Sequence, residues 1–278
     1  MCGIAGIIAP NSDRFLPNME AMLMAIEHRG PDGQHIVSGE GYVLGHARLA
    51  IIDKATGQQP MPSVDHTKWI VLNGEIYGYK DLKNKYSGYD FQTESDTEVV
   101  LAIYEKHGHD VCKFLPGMFA FAIWDENKRQ LILGRDRLGE KPLYYAFAED
   151  GVFLFASEIK AIIASGLIKP RFNEHTLDHY LKHLYIHPEG CAFSNIHVLP
   201  PAHMFVHRLN DSWLSAYWQL SERGADISLS DATDKFRELL SRSVKNQLVA
   251  DVEVGAFLSG GVDSSTMVSL AARGRTTR

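Results

Sequence analysis

Residues 1–8, MCGIAGII, contain an apolar segment that begins almost at the start of the chain. Gly3–Ile8 is predicted to form a short buried strand, because its residues are small or aliphatic without a polar interruption. The residue directly before this strand is Cys2. Removal of Met1 would leave Cys2 with a thiol and a free α-amine on the same residue.

These two groups on one residue can perform acyl-transfer chemistry. An α-amine has an ordinary pKa of about 7.7–8, so it can act as a general base near neutral pH. A thiol beside such a base can attack a carboxamide, expel ammonia and leave a thioester for water to hydrolyse. The alternative is that Cys2 is only a small buried hydrophobe in a terminal strand.

The apolar pattern beyond residue 8 predicts stacked β-sheets flanked by helices. Met19, Met22, Leu23 and Ile26 recur at helical spacing, and a second helix is predicted over about residues 97–107. Further strands are predicted at residues 42–52, 69–75, 119–125, 130–135, 143–148 and 152–156. Many strands with few intervening helices favour an α+β class over a regular βαβ chain.

A change of composition divides the chain, because Asn, Asp, Ser and Gly cluster around residues 210–231. We therefore predict a first domain over residues 2–210, a linker over 211–230 and a second domain over 231–278. The predicted elements of the second domain are a helix at 236–248, a buried strand at 252–258 and a helix at 263–273. A doubly wound sheet needs several strands, so the second domain is expected to be incomplete.

The bulk composition argues against several functional classes. A net charge of -6 disfavours a protein that binds nucleic acid through phosphate contacts. Cys2, Cys112 and Cys191 lie far apart, which disfavours a disulfide framework and suits a reducing cytoplasm. We expect no secretory leader and no membrane span. We also expect no protein metal site, since the pairs His107/His109 and His183/His187 lack a third ligand.

A series of motifs resembles the class II, N-terminal-nucleophile glutamine amidotransferases and, more narrowly, the glutamine-hydrolysing asparagine synthetases. The motifs occur in family order from residue 2 onward. They are CGIAG (2–6), HRGPDG (28–33), GHARLAIID (45–53), NGEIYGY (73–79), SDTEVV (95–100), RDRLGEKPLYY (135–145), FASEIKAI (155–162) and SGGVDS (259–264). The resemblance implies an αββα sandwich over the first domain. The first strand-helix unit of an adenylating α/β domain, of the ATP pyrophosphatase type, follows it.

The resemblance also implies a glutamine pocket around Cys2. Asn73 and Gly74 would supply the donors of an oxyanion hole, although Asn-Gly is also a strong hairpin-turn signal. Arg48 would bind the α-carboxylate of glutamine, and Asp96 its α-ammonium group. Asp96 also falls in a predicted capping box that starts at Ser95, and the two roles are compatible. Further contacts are implied for Leu49, Ala50, Ile51, Ile52 and Glu75.

The segment around SGGVDS resembles a pyrophosphate-binding loop. Successive glycine N–H groups and a helix N-terminus form an anion-binding concavity, and no Walker A lysine follows. The implied nucleotide contacts are Leu258, Ser259, Gly260, Gly261, Asp263 and Ser264. The alternative is an ordinary strand-to-helix turn.

The resemblance implies a cytoplasmic enzyme that hydrolyses glutamine and passes the ammonia to aspartate activated by ATP with Mg²⁺. Its partners would be the small molecules glutamine, ATP and aspartate, without nucleic acid or membrane, and a homodimer is compatible with this interpretation. Two alternatives stay open: a related amidotransferase with a different carboxylate acceptor, and an inactive truncated fragment.

Overall fold

A computed structural model describes residues 1–208, 211–221, 224 and 226–273. The chain divides into two compact units, Met1–Gln219 and Leu220–Arg278. The first unit contains strands with these bounds: β1 (Gly3–Ile8), β2 (Gln34–Gly39), β3 (Tyr42–Ala47), β4 (Met61–Pro62), β5 (Lys68–Ile76), β6 (Gly117–Asp125), β7 (Gln130–Arg135), β8 (Tyr144–Phe147), β9 (Phe153–Ala156), β10 (His197–Val198), β11 (His203–Arg208) and β12 (Asp211–Ala216).

The strands form two antiparallel sheets. The first has the order β10-β8-β9-β1-β3-β2 and the second the order β12-β11-β7-β6-β5-β4. β1 is an inner strand, since it pairs with β3 on one side and β9 on the other. The residue before β1 is therefore held by a strand whose two edges are both hydrogen-bonded.

Helices cover the outer faces of the two sheets. The helices of the first unit are α1 (Leu16–Ala25), α2 (Tyr79–Lys85), α3 (Asp96–His107), α4 (Ile159–Ala164) and α5 (Glu174–His183). One apolar cluster packs α1 and α4 on the first sheet, and a second packs α3 on the other sheet. A third cluster, which includes Ile4, Leu44, Val71 and Leu131, fills the space between the sheets. The predicted αββα sandwich is confirmed.

Two predicted boundaries in this unit differ from the structure. The strand predicted over 42–52 ends at Ala47, because the partners of Ala47 on both sides, Gly3 and Gln34, are the first residues of their strands. Residues 211–216, predicted as linker, form β12. Trp213 packs on the core beneath β11, and Tyr217 Oη donates to Arg135 O over 2.8 Å. Apolar burial thus extends the first unit to Gln219.

The second unit contains α6 (Leu229–Asn246) and α7 (Val262–Arg273) among its described residues. The buried strand predicted over 252–258 is not formed: no described residue there belongs to a strand, and Phe257 and Leu258 are exposed. A strand needs a neighbour to accept its hydrogen bonds, and the described part of this unit offers none. Residues 209–210, 222–223, 225 and 274–278 of the predicted domains and linker lie outside the described residues.

Gly30 allows a close approach between its loop and the end of β3, and this can be tested. A Cβ atom built on Gly30 would lie 2.1 Å from Ala47 C and 2.3 Å from Arg48 N. We expect Gly30→Ala to lower the free energy of unfolding by about 1–3 kcal/mol, because backbone atoms must move to accept the methyl group. Urea unfolding followed by circular dichroism measures this change.

Gly88→Ala is the matched control, since a Cβ atom there meets nothing within 4 Å. Its free energy of unfolding should change by no more than about 0.5 kcal/mol. Equal stability of the two variants would contradict the importance of the close contact at Gly30.

Candidate active site

A pocket at the start of β1 brings together most of the residues that the sequence singled out. It contains about 550 Å³ of empty space, part of it open to solvent. The predicted residues that line it are Cys2, Arg48, Leu49, Ile51, Ile52, Asn73, Gly74, Glu75 and Asp96. They come from the residue before β1, from the loop after β3, from β5 and from the first turn of α3.

The Cys2 sulfur is held by one backbone unit. Leu49 N donates to Cys2 Sγ over 3.3 Å, and Sγ lies 3.5 Å from Leu49 O. Burial raises the pKa of the thiol, and the Leu49 backbone, the amino terminus and Arg48 oppose this only in part. The thiol is therefore protonated near neutral pH, and a general base is needed to activate it.

The amino terminus lies against the same pocket. Met1 and Lys141 both line it, and Lys141 Nζ is 3.2 Å from Met1 Sδ. Burial lowers the pKa of the Met1 α-amine, Cys2 opposes this shift, and the cations Arg29 and Lys141 add to it. This environment favours a neutral amine, which is the form that can accept a proton.

Asn73 and Gly74 lie inside β5, opposite Ala120 and Phe119 of β6. They therefore do not form the hairpin turn that their sequence also allowed. Gly74 has a φ of 156°, and a Cβ atom there would lie 2.2 Å from Met118 O. Only glycine fits this close pairing, and its backbone lines the pocket beside the Asn73 side chain.

Arg29 fixes the orientation of the Asn73 carboxamide, a role that sequence reasoning missed. Arg29 Nε donates to Cys2 O over 2.9 Å, and the hydrogen-bond pattern assigns the Asn73 amide so that its Oδ1 accepts from Arg29 Nη2 over 3.3 Å. With its oxygen facing this cation, Asn73 Nδ2 donates to Cys2 O over 3.0 Å. An amide nitrogen carries two hydrogens, so one N–H of Asn73 Nδ2 remains available as a donor. The signal available in the sequence was the position of this arginine inside the HRGPDG motif; the structure leaves it 9% exposed.

Arg48 is held by the loop that follows it. Its Nη1 donates to Lys54 O over 3.2 Å, and its Nη2 donates to Asp53 O. The Asp53 carboxylate in turn accepts from Thr56 N and Glu94 N, which ties this loop to the segment before α3. Two of the five guanidinium N–H donors are used by these carbonyls, and the side chain lines the pocket.

Asp96 is the first residue of α3 and is 5% exposed. Its Oδ2 accepts from Ile76 N over 2.9 Å. Burial raises its pKa to about 6, although the Ile76 N–H group opposes the shift. The predicted capping box is only partly formed: Ser95 Oγ accepts from Thr97 N, while Glu98 binds the backbone of Gln92 and Thr93.

Glu75 and Lys141 place two further charges on the pocket wall. Burial raises the pKa of Glu75 and lowers that of Lys141, so each group is shifted toward its neutral form, and each opposes the shift of the other. Lys141 is 6% exposed. Its position on the pocket wall was not apparent from the sequence.

Ala50 is the predicted pocket residue that does not line the pocket. Its backbone N–H donates to Asp32 Oδ2 over 2.8 Å, so this group already has a partner. His46 lines the pocket although it was not predicted. Its Nε2 lies 3.3 Å from Leu72 O, and burial lowers its pKa to about 3, so it is neutral at physiological pH.

The SGGVDS segment lies in the second unit. Gly260 has a φ of 82° with nothing within 4 Å of a built Cβ atom, and Ser259 Oγ is 2.9 Å from Ser264 Oγ. The twelve-residue helix α7 begins directly after Gly261, and Asp263 lies in its first turn. An open glycine backbone at a helix N-terminus fits a phosphate group. Leu258 precedes the loop and is exposed.

The described residues contain no group of three or more His, Cys, Asp or Glu side chains placed to hold a metal ion. No helix among them combines the length and the apolar character that crossing a bilayer requires.

Comparison with known families agrees with the geometry. The glutamine amidotransferase domain family matches residues 1–218, and the asparagine synthase family matches residues 235–278. Asparagine synthetase [glutamine-hydrolyzing] 2 of Bacillus subtilis is 39% identical over 98% of this chain, which spans 39% of that protein. Asparagine synthetase B [glutamine-hydrolyzing] of Escherichia coli is 33% identical over 97% of this chain, which spans 44% of that protein.

A solved structure supports the fold alone, because its sequence identity is low. Glutamine phosphoribosylpyrophosphate amidotransferase from Bacillus subtilis, complexed with ADP and GMP, aligns with a TM-score of 0.57 and 20% identity. The alignment covers 98% of this chain and 64% of that chain. Since the family match extends over the whole αββα unit, the chain belongs to the glutamine amidotransferase family and is similar along nearly its whole length to the glutamine-hydrolysing asparagine synthetases.

Proposed function

We propose that the first unit hydrolyses glutamine to glutamate and ammonia, with Cys2 as the nucleophile. The observation that carries this proposal is the convergence of four groups on one pocket: the Cys2 thiol, the Asn73 carboxamide, the Arg48 guanidinium and the Asp96 carboxylate. Arg48 and Asp96 have the charges that the α-carboxylate and α-ammonium groups of glutamine require. Leu49, Ile51, Ile52 and Glu75 complete the wall around the substrate.

The reaction needs Met1 to be removed, so that Cys2 has a free α-amine. This amine takes the proton from Sγ, and the sulfur attacks the side-chain carbonyl carbon of glutamine. Negative charge develops on the carbonyl oxygen, where the remaining Asn73 N–H and the Gly74 backbone N–H can stabilise it. The proton then passes to the leaving nitrogen, ammonia departs, and water hydrolyses the thioester to glutamate and restores the thiol.

We further propose that the ammonia serves ATP-dependent conversion of aspartate to asparagine in the cytoplasm. The names of the relatives and the phosphate-compatible loop support this acceptor. Leu258, Ser259, Gly260, Gly261, Asp263 and Ser264 would hold ATP, with Mg²⁺ on its phosphates. Bound ATP would supply the energy to activate a carboxylate. Three free cysteines are compatible with a reducing compartment.

The proposed acceptor can be tested by varying the carboxylic acid that is offered to the protein. Protein supplied with glutamine, ATP, Mg²⁺ and either aspartate or another carboxylic acid is analysed by mass spectrometry for the amidated product. Asparagine formed only in the presence of aspartate supports the proposed acceptor. A different amide as the sole product would point to a related amidotransferase.

The nucleophile gives the first prediction for this site. Removing the nucleophile of a covalent hydrolase costs about 10⁶-fold in kcat, so glutamate release by Cys2→Ala should fall to background in a coupled glutamate dehydrogenase assay. Cys191→Ala is the control, because this thiol belongs to the apolar cluster that packs α1 and α4 on the first sheet. Intact-mass analysis should show Met1 absent; a retained Met1 with full activity would contradict the role of the amine.

Asp96 gives a pH-dependent prediction. Burial raises its pKa to about 6 from an ordinary value of 3.8, so the group is neutral below about pH 6 and ionised above it. Only the ionised form can pair with the ammonium group of glutamine, and KM for glutamine should therefore rise as the pH falls through about 6. Initial rates between pH 5 and pH 8 measure the effect.

Asp96→Asn provides the comparison for this titration. It should have a high KM at every pH, without the rise below about pH 6, because it lacks the titrating carboxyl group. A variant that kept both the low KM and its pH dependence would exclude Asp96 as the ammonium partner.

A further inference from the structure

Arg29 links the nucleophile to the oxyanion donor, and its remaining edge is held by a residue outside the pocket. Arg29 Nη1 donates to Glu158 Oε1 over 2.8 Å. Of the other two nitrogens of the same guanidinium, Nε donates to Cys2 O, and Nη2 donates to Asn73 Oδ1 in the amide orientation that the hydrogen-bond pattern assigns. One planar group thus connects three chain segments that are far apart in sequence.

We propose that Glu158 is a positioning residue of the oxyanion hole, which acts through Arg29 on the orientation of the Asn73 carboxamide. This inference rests on the proposed glutaminase function. Glu158 does not line the pocket among the described residues. Its effect on the reaction therefore has to pass through the residues that it holds.

The backbone around Glu158 is fixed relative to the nucleophile. Ser157 N donates to Ile4 O over 2.9 Å, and Ile4 N donates to Ser157 Oγ over 3.0 Å. Glu158 directly precedes α4, and its side chain makes no capping hydrogen bond there. The backbone next to Glu158 is consequently hydrogen-bonded to β1, the strand that follows Cys2.

Charge keeps this contact in place. Partial burial raises the pKa of Glu158, but hydrogen bonds from Arg29, Lys160 and His28 outweigh it and leave the pKa below its ordinary value. The carboxyl is thus ionised at neutral pH. The Arg29 side chain is 9% exposed, and within the described residues the acid that forms an ion pair with it is Glu158.

Loss of Glu158 would leave a nearly buried cation without that acid. A buried unpaired charge is unfavourable, so the guanidinium would turn toward solvent or another acceptor. Asn73 Oδ1 would then lose the Arg29 N–H donor, which is the contact that fixes the positions of the amide oxygen and the amide nitrogen. A reversed amide would present its oxygen to the developing oxyanion and repel it.

The test compares Glu158→Gln with Lys160→Met in the full chain. The first variant keeps the shape of the side chain but removes the charge that holds Arg29. The second removes another cation from Glu158 (Lys160 Nζ is 3.3 Å from Glu158 Oε2) and leaves Arg29 untouched. Loss of one oxyanion donor costs about 10²–10³-fold, so we expect misorientation in Glu158→Gln to lower kcat by roughly 10–100-fold and Lys160→Met to resemble the wild type.

Three readouts separate positioning from general instability. In Glu158→Gln, kcat and kcat/KM should fall by the same factor, because the lost interaction belongs to the transition state and not to glutamine binding. Alkylation of Cys2 by iodoacetamide should keep its rate, since that displacement develops no oxyanion. The unfolding temperature should also remain close to that of the wild type.

Each outcome has one meaning. An unchanged kcat in Glu158→Gln, a loss confined to KM, or an equal loss in Lys160→Met would overturn the positioning role. A lower kcat with equally slowed alkylation would also overturn it, because Glu158 would then act on the thiol itself. Absence of glutaminase activity in the wild type, with Met1 removed, would instead refute the proposed function.

Discussion

The structure depends on the two hydrogen-bonded ladders that hold β1 between β3 and β9. Because both edges of this strand are paired, the residue before it has a fixed place at the open end of the sandwich. β5 of the second sheet supplies Asn73 to the same place, across an apolar layer that includes Ile4 and Val71. The contact between His46 Nε2 and Leu72 O also joins the two sheets here. The reaction centre is therefore set by sheet packing.

Local sequence could predict the residues that short motifs carry. Cys2, Arg48 and the Asn73-Gly74 pair each belong to a short motif that can be recognised without knowledge of the fold. The pocket contains all of them. The contact between Arg29 and Glu158 could not be predicted in this way, since it spans 129 positions and exists only because β9 lies next to β1.

The wrong boundaries have the same cause. Residues 48–52 are apolar enough for a strand, but the strands on either side of β3 start opposite Ala47, so no ladder can continue. Residues 252–258 are also apolar and lack a strand partner among the described residues. Apolar character shows that a segment can be buried, whereas neighbouring strands decide whether it becomes a strand.

Burial of Asp96 has a consequence for the uptake of substrate. Each tenfold change in an ionisation equilibrium is worth about 1.4 kcal/mol, so ionising this buried carboxyl costs on the order of 3 kcal/mol more than ionising one in water. An ammonium group that docks against Asp96 offsets that cost and lowers the pKa of the carboxyl. If glutamine binds as proposed, it must then release hydrogen ion near pH 6, where the empty site holds part of a proton. Substrate capture is consequently linked to the acidity of the surrounding medium, and its measured heat should vary with the ionisation enthalpy of the buffer.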